Sequence, residues 1–88
     1  MKITKQLQKD INKVICIIAE GYFEKKKYDS EEDYTWEQSI NHALDDFKED
    51  VKGWMACVGH EDLTDEQANE ISDYAWNNVN WQTIRDFT

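Results

Sequence analysis

Residues 35–58 read TWEQSINHALDDFKEDVKGWMACV, and this stretch decides the fold class. Its apolar residues recur at steps of three and four for about six turns, the spacing of one helix face. That face is formed by Trp36, Ile40, Ala43, Leu44, Phe47, Val51, Trp54, Met55 and Val58. Thr35 and Gln38 have the spacing of a capping box, and Gly59 stands where a left-handed C-terminal cap is expected. We therefore predict one helix over residues 36–57, in which Gly53 costs up to about 1 kcal/mol relative to Ala.

A first helix is predicted over residues 4–26. Its stripe consists of Ile3, Leu7, Ile11, Val14, Ile18 and Tyr22. Ile15, Cys16, Ile17 and Ala19 make its middle apolar on nearly every side, and such a helix needs more than one neighbour. This helix is therefore either central in the fold or part of a homodimer surface.

A third helix is predicted over residues 65–80. Thr64 and Gln67 have the spacing of a second capping box, with Leu63 and Ala68 in the positions of a hydrophobic staple. Its inward stripe is Ala68, Ile71, Ala75 and Val79. Beyond Trp76 the pattern changes, so either the helix bends or a short fourth helix occupies residues 81–87.

These elements predict an all-α fold, a compact bundle of three helices with the short fourth C-terminal helix as an option. The chain has 88 residues, no Pro and three Gly, which suits one domain of long helices spanning residues 1–88. The longest apolar run, residues 14–19, is too short for a membrane span or a signal peptide. We expect a cytoplasmic protein that keeps Cys16 and Cys57 as thiols.

Charge is distributed unevenly along the chain. Residues 1–28 contain seven Lys and three acidic residues, whereas residues 29–88 contain sixteen acidic residues, two Lys and one Arg. Such an acidic surface repels nucleic acids and membranes, because both are polyanions, and it attracts basic protein surfaces. We therefore expect a basic protein as the partner, with no direct binding to nucleic acid or membrane.

Acidic side chains gather on the solvent sides of the second and third predicted helices. A rotation of about 100° per residue brings four together on the second helix, namely Asp45, Asp46, Glu49 and Asp50. A row of three follows on the third, formed by Glu66, Glu70 and Asp73. Neighbours in such rows lie roughly 5–6 Å apart, comparable with phosphates that rise about 3.4 Å each along a DNA strand. We predict these residues as a partner-binding surface; the alternative is that they only keep the domain soluble.

Two aromatic residues are candidates to join that surface. Tyr74 and Trp81 share a helix face with Glu70 and not with Ala68 or Val79. Aromatic rings beside charged groups are typical interface anchors, because they supply contact area at little cost in entropy. A role in the core is the alternative for both.

Catalytic and metal-binding patterns are weak in this chain. Cys57 and His60 form one C-x-x-H pair, but structural zinc requires two paired ligand clusters. The acidic residues Asp29, Glu31 and Asp33 resemble a calcium loop, yet Tyr34 occupies the position that requires glycine. No nucleophile motif or phosphate-binding loop is present. We therefore predict no enzymatic activity, no catalytic residues, no metal and no cofactor.

A small helical domain with acidic rows, exposed aromatic residues and no catalytic set resembles the small acidic inhibitors encoded by bacteriophages and mobile elements. These include DNA mimics, anti-restriction proteins and anti-CRISPR proteins. The resemblance rests on size, charge and the seven carboxylates named above, and matches no family motif; the basic first helix departs from it. It implies an inhibitor acting in the host cytoplasm on a nuclease, a restriction enzyme or a CRISPR effector. The alternative is a helical interaction module or homodimeric regulator that uses the first helix.

Overall fold

The structure, a computed structural model, describes residues 2–28, 35–80 and 82–84. It contains α1 (Lys5–Tyr28), α2 (Trp36–Glu49), α3 (Val51–Ala56) and α4 (Asp65–Asn78). A further helical turn covers residues 82–84. The described ranges contain no β-strand, and the predicted all-α fold class is confirmed.

Both predicted capping boxes are formed. The Thr35 side chain accepts a hydrogen bond from the Gln38 backbone N–H, and the Gln38 side chain accepts one from the Thr35 N–H. Thr64 and Gln67 repeat this reciprocal pair at the start of α4. Each box satisfies two backbone N–H groups that have no partner within the helix, which explains why α2 and α4 begin where the sequence predicts.

The core forms where α1, α2, α3 and α4 meet. Its most completely buried large side chains are Ile11, Ile15, Ile40, Phe47, Met55, Ile71 and Ile84. Helix α1 packs most extensively against α2 and also contacts α3. Cys16 and Ala19 are buried on one side of α1, and Val14 and Ile18 on another, so the central position accounts for most of its apolar residues.

Asp50 divides the stretch that was predicted as one helix over residues 36–57. Its backbone leaves the helical region, with φ −146° and ψ 62°, and its side chain accepts a hydrogen bond from the Gly53 N–H at 3.2 Å. A carboxylate that caps the following turn competes with continuation of the helix. The prediction of an uninterrupted helix is therefore wrong at Asp50, although Gly59 does adopt the positive φ, 93°, of the expected C-terminal cap.

Helix α4 ends at Asn78, so it does not continue to residue 80. The Asn77 and Asn78 side-chain amides donate to the carbonyls of Asp73 and Tyr74, both at 2.9 Å, and Val79 is extended. Asn80 then accepts hydrogen bonds from the backbone N–H groups of residues 82 and 83, which starts the final helical turn. That turn buries Ile84. Trp81 and the rest of the predicted fourth helix, residues 85–87, lie outside the described residues.

Candidate functional site

Of the three carboxylates predicted to form a row on α4, two lie at the surface. Glu66 and Asp73 are exposed and Glu70 is half-buried. Ala68, Ile71 and Ala75, which are buried, occupy the opposite face of the same helix. We call Glu66, Glu70 and Asp73 the α4 row; the exposure of Glu66 and Asp73 agrees with the helical spacing, whereas Glu70 is half-buried and one of its carboxylate oxygens is enclosed.

The carboxylates predicted as one row on the second helix are divided between three environments. Asp45 and Glu49 are exposed on the side of α2 opposite the buried Ala43 and Phe47. We call this pair the α2 row. Its location agrees with the helical spacing, but it is two residues long and not four.

Asp46 points to the flank of α2 that faces α1. It is half-buried, and its carboxylate accepts a hydrogen bond from the Tyr22 hydroxyl at 2.5 Å. The Tyr22 ring stacks on His42 with a centroid separation of 5.3 Å. A helical wheel shows which residues lie off the core stripe but not which flank a neighbouring helix covers, so the assignment of Asp46 to the outward row is corrected.

Asp50 also leaves the row, because it lies at the break between α2 and α3. Although exposed, it is the N-cap residue of α3 and holds the Gly53 N–H. This intramolecular role orients its carboxylate toward its own helix end, where the partial positive charge of the backbone attracts it. The assignment of Asp50 to the α2 row is therefore corrected as well.

Lys48 of α2 and Lys52 of α3 each contact a residue of α4. The Lys48 ammonium lies 5.0 Å from the centroid of the Trp76 ring, and the Lys52 ammonium pairs with the Asp65 carboxylate. We call Lys48, Lys52, Asp65 and Trp76 the seam. The hydrogen bond and the charge of Lys52 lower the pKa of Asp65 below its usual range. The seam therefore brings two cationic groups to α4, the helix that carries the α4 row.

Trp76 is a candidate anchor that the sequence analysis does not assign to the surface. It is 53% exposed, more than the other large hydrophobic residues of the described ranges. The signal was present in the sequence, since a helical step of 100° places Trp76 on the same side of the helix as Asp65 and Asp73 and away from Ala75. Exposed tryptophan flanked by charges is common at protein interfaces.

The two aromatic residues predicted for the surface have different outcomes. Tyr74 is half-buried and packs against the hydrophobic core, which favours the core alternative for this residue. Trp81 lies outside the described residues, so its assignment stays a prediction. Of the aromatic rings on α4, Trp76 is therefore the exposed one.

The residues with potential chemistry are dispersed. His60, considered above with Cys57, lies 2.8 Å from the Asp10 carboxylate through Nε2. Both cysteines are free thiols, and burial together with the nearby Glu20 raises the pKa of Cys16. Within the described ranges, no three His, Cys, Asp or Glu side chains converge as a metal site. None of the described helices is both long and apolar enough to cross a membrane.

Comparison of the chain with protein-family models, with curated proteins and with solved structures gave no match. Inferences about function therefore depend on the charge, exposure and contacts of the chain's own side chains. The most distinctive surface among the described residues combines the α2 row, the seam and the α4 row. This surface includes the exposed indole ring of Trp76 and the exposed carboxylates of α2 and α4.

Proposed function

We propose that this chain is a non-enzymatic binding protein whose acidic face occupies a basic nucleic-acid-binding groove on another protein. In this role it is a phage-type inhibitor of a nuclease, a restriction enzyme or a CRISPR effector, and it works in the host cytoplasm. The observation that supports the proposal is the exposure of four carboxylates, Asp45, Glu49, Glu66 and Asp73, on the two helices that the Lys48–Trp76 contact joins.

The acidic rows have the chemistry needed to compete with a phosphate backbone. Glu66 and Asp73 are held on a capped helix, so their Cα positions are defined before binding. Arg and Lys side chains that normally contact phosphates form charge-assisted hydrogen bonds with carboxylates equally well. The carboxylates therefore act as substitutes for phosphates, and the inhibitor competes with nucleic acid for one site.

The seam adds an apolar contact to this electrostatic surface. Trp76 presents about half of its area to solvent, and Lys48 lies over its ring. A cation over an indole contributes about 0.5–1 kcal/mol at an exposed site, which favours one orientation of the ring. An ordered aromatic side chain loses little entropy on binding and is a suitable anchor within a charged interface.

Affinity capture from a bacterial lysate tests this function. The chain is immobilised, the lysate is applied at about 50 mM and about 500 mM salt, and retained proteins are identified by mass spectrometry. We expect nucleic-acid-binding proteins that are retained at low salt, are released at high salt and are displaced by duplex DNA. Retention that is insensitive to both salt and DNA would contradict the proposal.

Two variants of equal net charge locate the binding surface. The first neutralises the proposed surface by Asp45→Asn, Glu49→Gln, Glu66→Gln and Asp73→Asn. The second neutralises four exposed carboxylates elsewhere by Glu20→Gln, Glu37→Gln, Glu61→Gln and Asp62→Asn. We expect the first variant to lose capture while the second retains most of it. Equal losses would show that net charge alone is responsible.

Self-association through α1 is the alternative function, and one observation favours it. Ile17 is 50% exposed in the middle of α1, whereas its neighbours Cys16 and Ile18 are buried. Sedimentation equilibrium distinguishes the two functions, because a dimer that is insensitive to salt and is dissociated by Ile17→Lys would support the regulator. A monomer with salt-sensitive capture supports the inhibitor.

A further inference from the structure

An apolar groove lies on the side of the molecule where Asp46 faces α1. Its volume is about 410 Å³, and it is lined by Ile17, Ile18, Gly21, Tyr22, Asp46 and Trp54. One carboxylate is therefore set among aliphatic and aromatic side chains. We call this feature the Asp46 groove.

Asp46 holds both aromatic side chains of the groove. Its carboxylate Oδ2 accepts from the Tyr22 hydroxyl, and its backbone carbonyl accepts from Trp54 Nε1 at 3.1 Å. Both rings are therefore positioned relative to the same residue. Oδ1 has no hydrogen-bond donor among the described residues, so the half-buried carboxylate keeps the capacity to accept further hydrogen bonds.

The α1 side of the groove is open and apolar. Ile17 is 50% exposed, and a Cβ added at Gly21 would meet no atom within 4 Å. Gly21 therefore leaves space that another side chain can enter, next to an aliphatic surface that gains from being covered.

We propose that the Asp46 groove binds an arginine side chain of the basic partner, and this inference rests on the proposed function for the existence of such a partner. A guanidinium is planar, weakly hydrated and stacks on aromatic rings, while its fixed donors suit a carboxylate. Its aliphatic stem covers Ile17. The apolar wall of the groove thus matches the aliphatic stem of arginine, and the Asp46 carboxylate matches its positive charge.

Other occupants fit the groove less well. A purely apolar side chain would remove water from Asp46 without supplying a cation, which is unfavourable. A second copy in a twofold dimer would set the same patch against itself and bring the two Asp46 carboxylates toward one another. A lysine ammonium neutralises the charge, but it is strongly hydrated and cannot stack as a plane on Trp54.

A small probe tests the groove without the macromolecular partner. N-acetyl-arginine methylamide is titrated into the labelled protein, and binding is followed by NMR. We expect saturable shifts of the Ile17 methyl groups, the Gly21 amide and the Trp54 indole N–H. The citrulline analogue has nearly the same shape without the charge, so it should produce no saturable shifts. Equal binding of both probes would overturn the proposal.

Three variants test the position of the probe. Gly21→Leu fills the groove, and because leucine favours helix more than glycine, its circular dichroism should show an intact fold. We expect Gly21→Leu to weaken arginine binding at least about tenfold. We expect the same of Asp46→Asn, which keeps an acceptor for the Tyr22 hydroxyl but removes the negative charge. Gly21→Ala is the matched control and should bind nearly as well as the original chain. Unchanged binding by folded Gly21→Leu would overturn the assignment.

Failure of the proposed function is distinguishable from failure of the groove. The variant with neutralised acidic rows should bind N-acetyl-arginine methylamide as the original chain does, even where capture of proteins is lost. If this variant no longer binds the probe, the proposal that the groove binds arginine would be overturned, and the binding would be explained by net charge alone. Sedimentation that shows a dimer sensitive to Gly21→Leu would assign the groove to a second copy and also overturn the proposal.

Discussion

The Asp50 carboxylate accepts a hydrogen bond from the Gly53 N–H, and it lies so close to Gly53 Cα that a methyl group there would collide with it. This contact places the break between α2 and α3. Gly53 therefore leaves room for the Asp50 carboxylate, an effect that helix propensities do not describe. The consequence can be measured in the free energy of unfolding.

Gly53→Ala is expected to leave the free energy of unfolding nearly unchanged, because losing the N-cap costs about 1 kcal/mol and offsets the gain in helix propensity. In an exposed helix position the same change normally stabilises by about 0.5–1 kcal/mol. Urea unfolding followed by circular dichroism measures the difference. The matched control is Gly21→Ala, which has open space at its Cβ position and should stabilise the protein.

A double-mutant cycle tests whether the Asp50 carboxylate causes the difference between Gly53→Ala and Gly21→Ala. In the Asp50→Ala background the collision is absent, so Gly53→Ala should stabilise the protein there, as Gly21→Ala does in the original chain. If Gly53→Ala stabilises the original chain as much as Gly21→Ala does, the proposed collision does not limit this turn.

The Lys52–Asp65 pair predicts a pH effect on the acid side. Lys52 holds the pKa of Asp65 below its usual range of about 3.9. Because the folded pKa is lower than the unfolded one, the pair stabilises the protein above the unfolded pKa. That contribution is lost as the pH falls through the folded pKa. Lys52→Gln should raise the pKa of Asp65 toward its ordinary value, which an NMR titration of the carboxyl carbon measures.

Salt and a second lysine provide the controls for Asp65. The Asp65 carboxylate is exposed, so added salt should reduce the shift of its pKa in the original chain. Lys48→Gln should leave that pKa unchanged, because Lys48 contacts Trp76. An Asp65 pKa that responds equally to both substitutions would contradict the pairing.

Trp76→Ala should separate binding from stability. Trp76 is 53% exposed, so its removal should cost less than about 1 kcal/mol of unfolding free energy, including the lost contact with Lys48. The same variant should weaken capture of the basic partner. Trp54→Ala is the contrast: its ring packs against the core and its indole is hydrogen-bonded, so we expect a loss of about 2 kcal/mol or more. Similar destabilisation by both would mean that Trp76 is structural.

The two cysteines should react at different rates. Cys57 is exposed, whereas Cys16 is 7% exposed and its pKa is raised by burial and by Glu20, which lowers the fraction of reactive thiolate. Iodoacetamide at pH 8 should therefore modify Cys57 first, as peptide mass spectrometry can show. In about 6 M guanidinium chloride the difference should disappear. Faster modification of Cys16 in the folded protein would contradict its burial.

Local patterns in the sequence predict the helices well, because the features that start them are short-range. The Thr35 and Thr64 caps depend on residues three positions away, so spacing alone identifies them. The spacing of apolar residues does not indicate the break at Asp50, because the apolar stripe of residues 36–58 continues through it. Only the hydrogen bond from the Gly53 N–H to the Asp50 side chain reveals where the helix ends.

The candidate site could be predicted only in part, because packing between helices decides which flank of a helix is covered by its neighbour. Periodicity places Asp45, Glu49, Glu66 and Asp73 outward, where they are exposed, since it requires only the direction of the core; it also places Glu70 outward, which is half-buried. It cannot show that α1 covers the flank of α2 where Asp46 lies, or that Tyr22 binds this carboxylate. The exposure of Trp76 follows from helical periodicity, whereas its contact with Lys48 of α2 is a tertiary property.

The lysines of the seam place positive charge on a proposed binding face that otherwise consists of the carboxylates of α2 and α4. A partner with a uniformly basic surface would meet repulsion opposite Lys48, whereas Asp65 compensates the charge of Lys52. A partner whose basic surface is interrupted by a neutral or acidic patch opposite Lys48 would avoid that repulsion. The arrangement therefore favours selectivity among polyanion-binding proteins over indiscriminate adhesion to all of them.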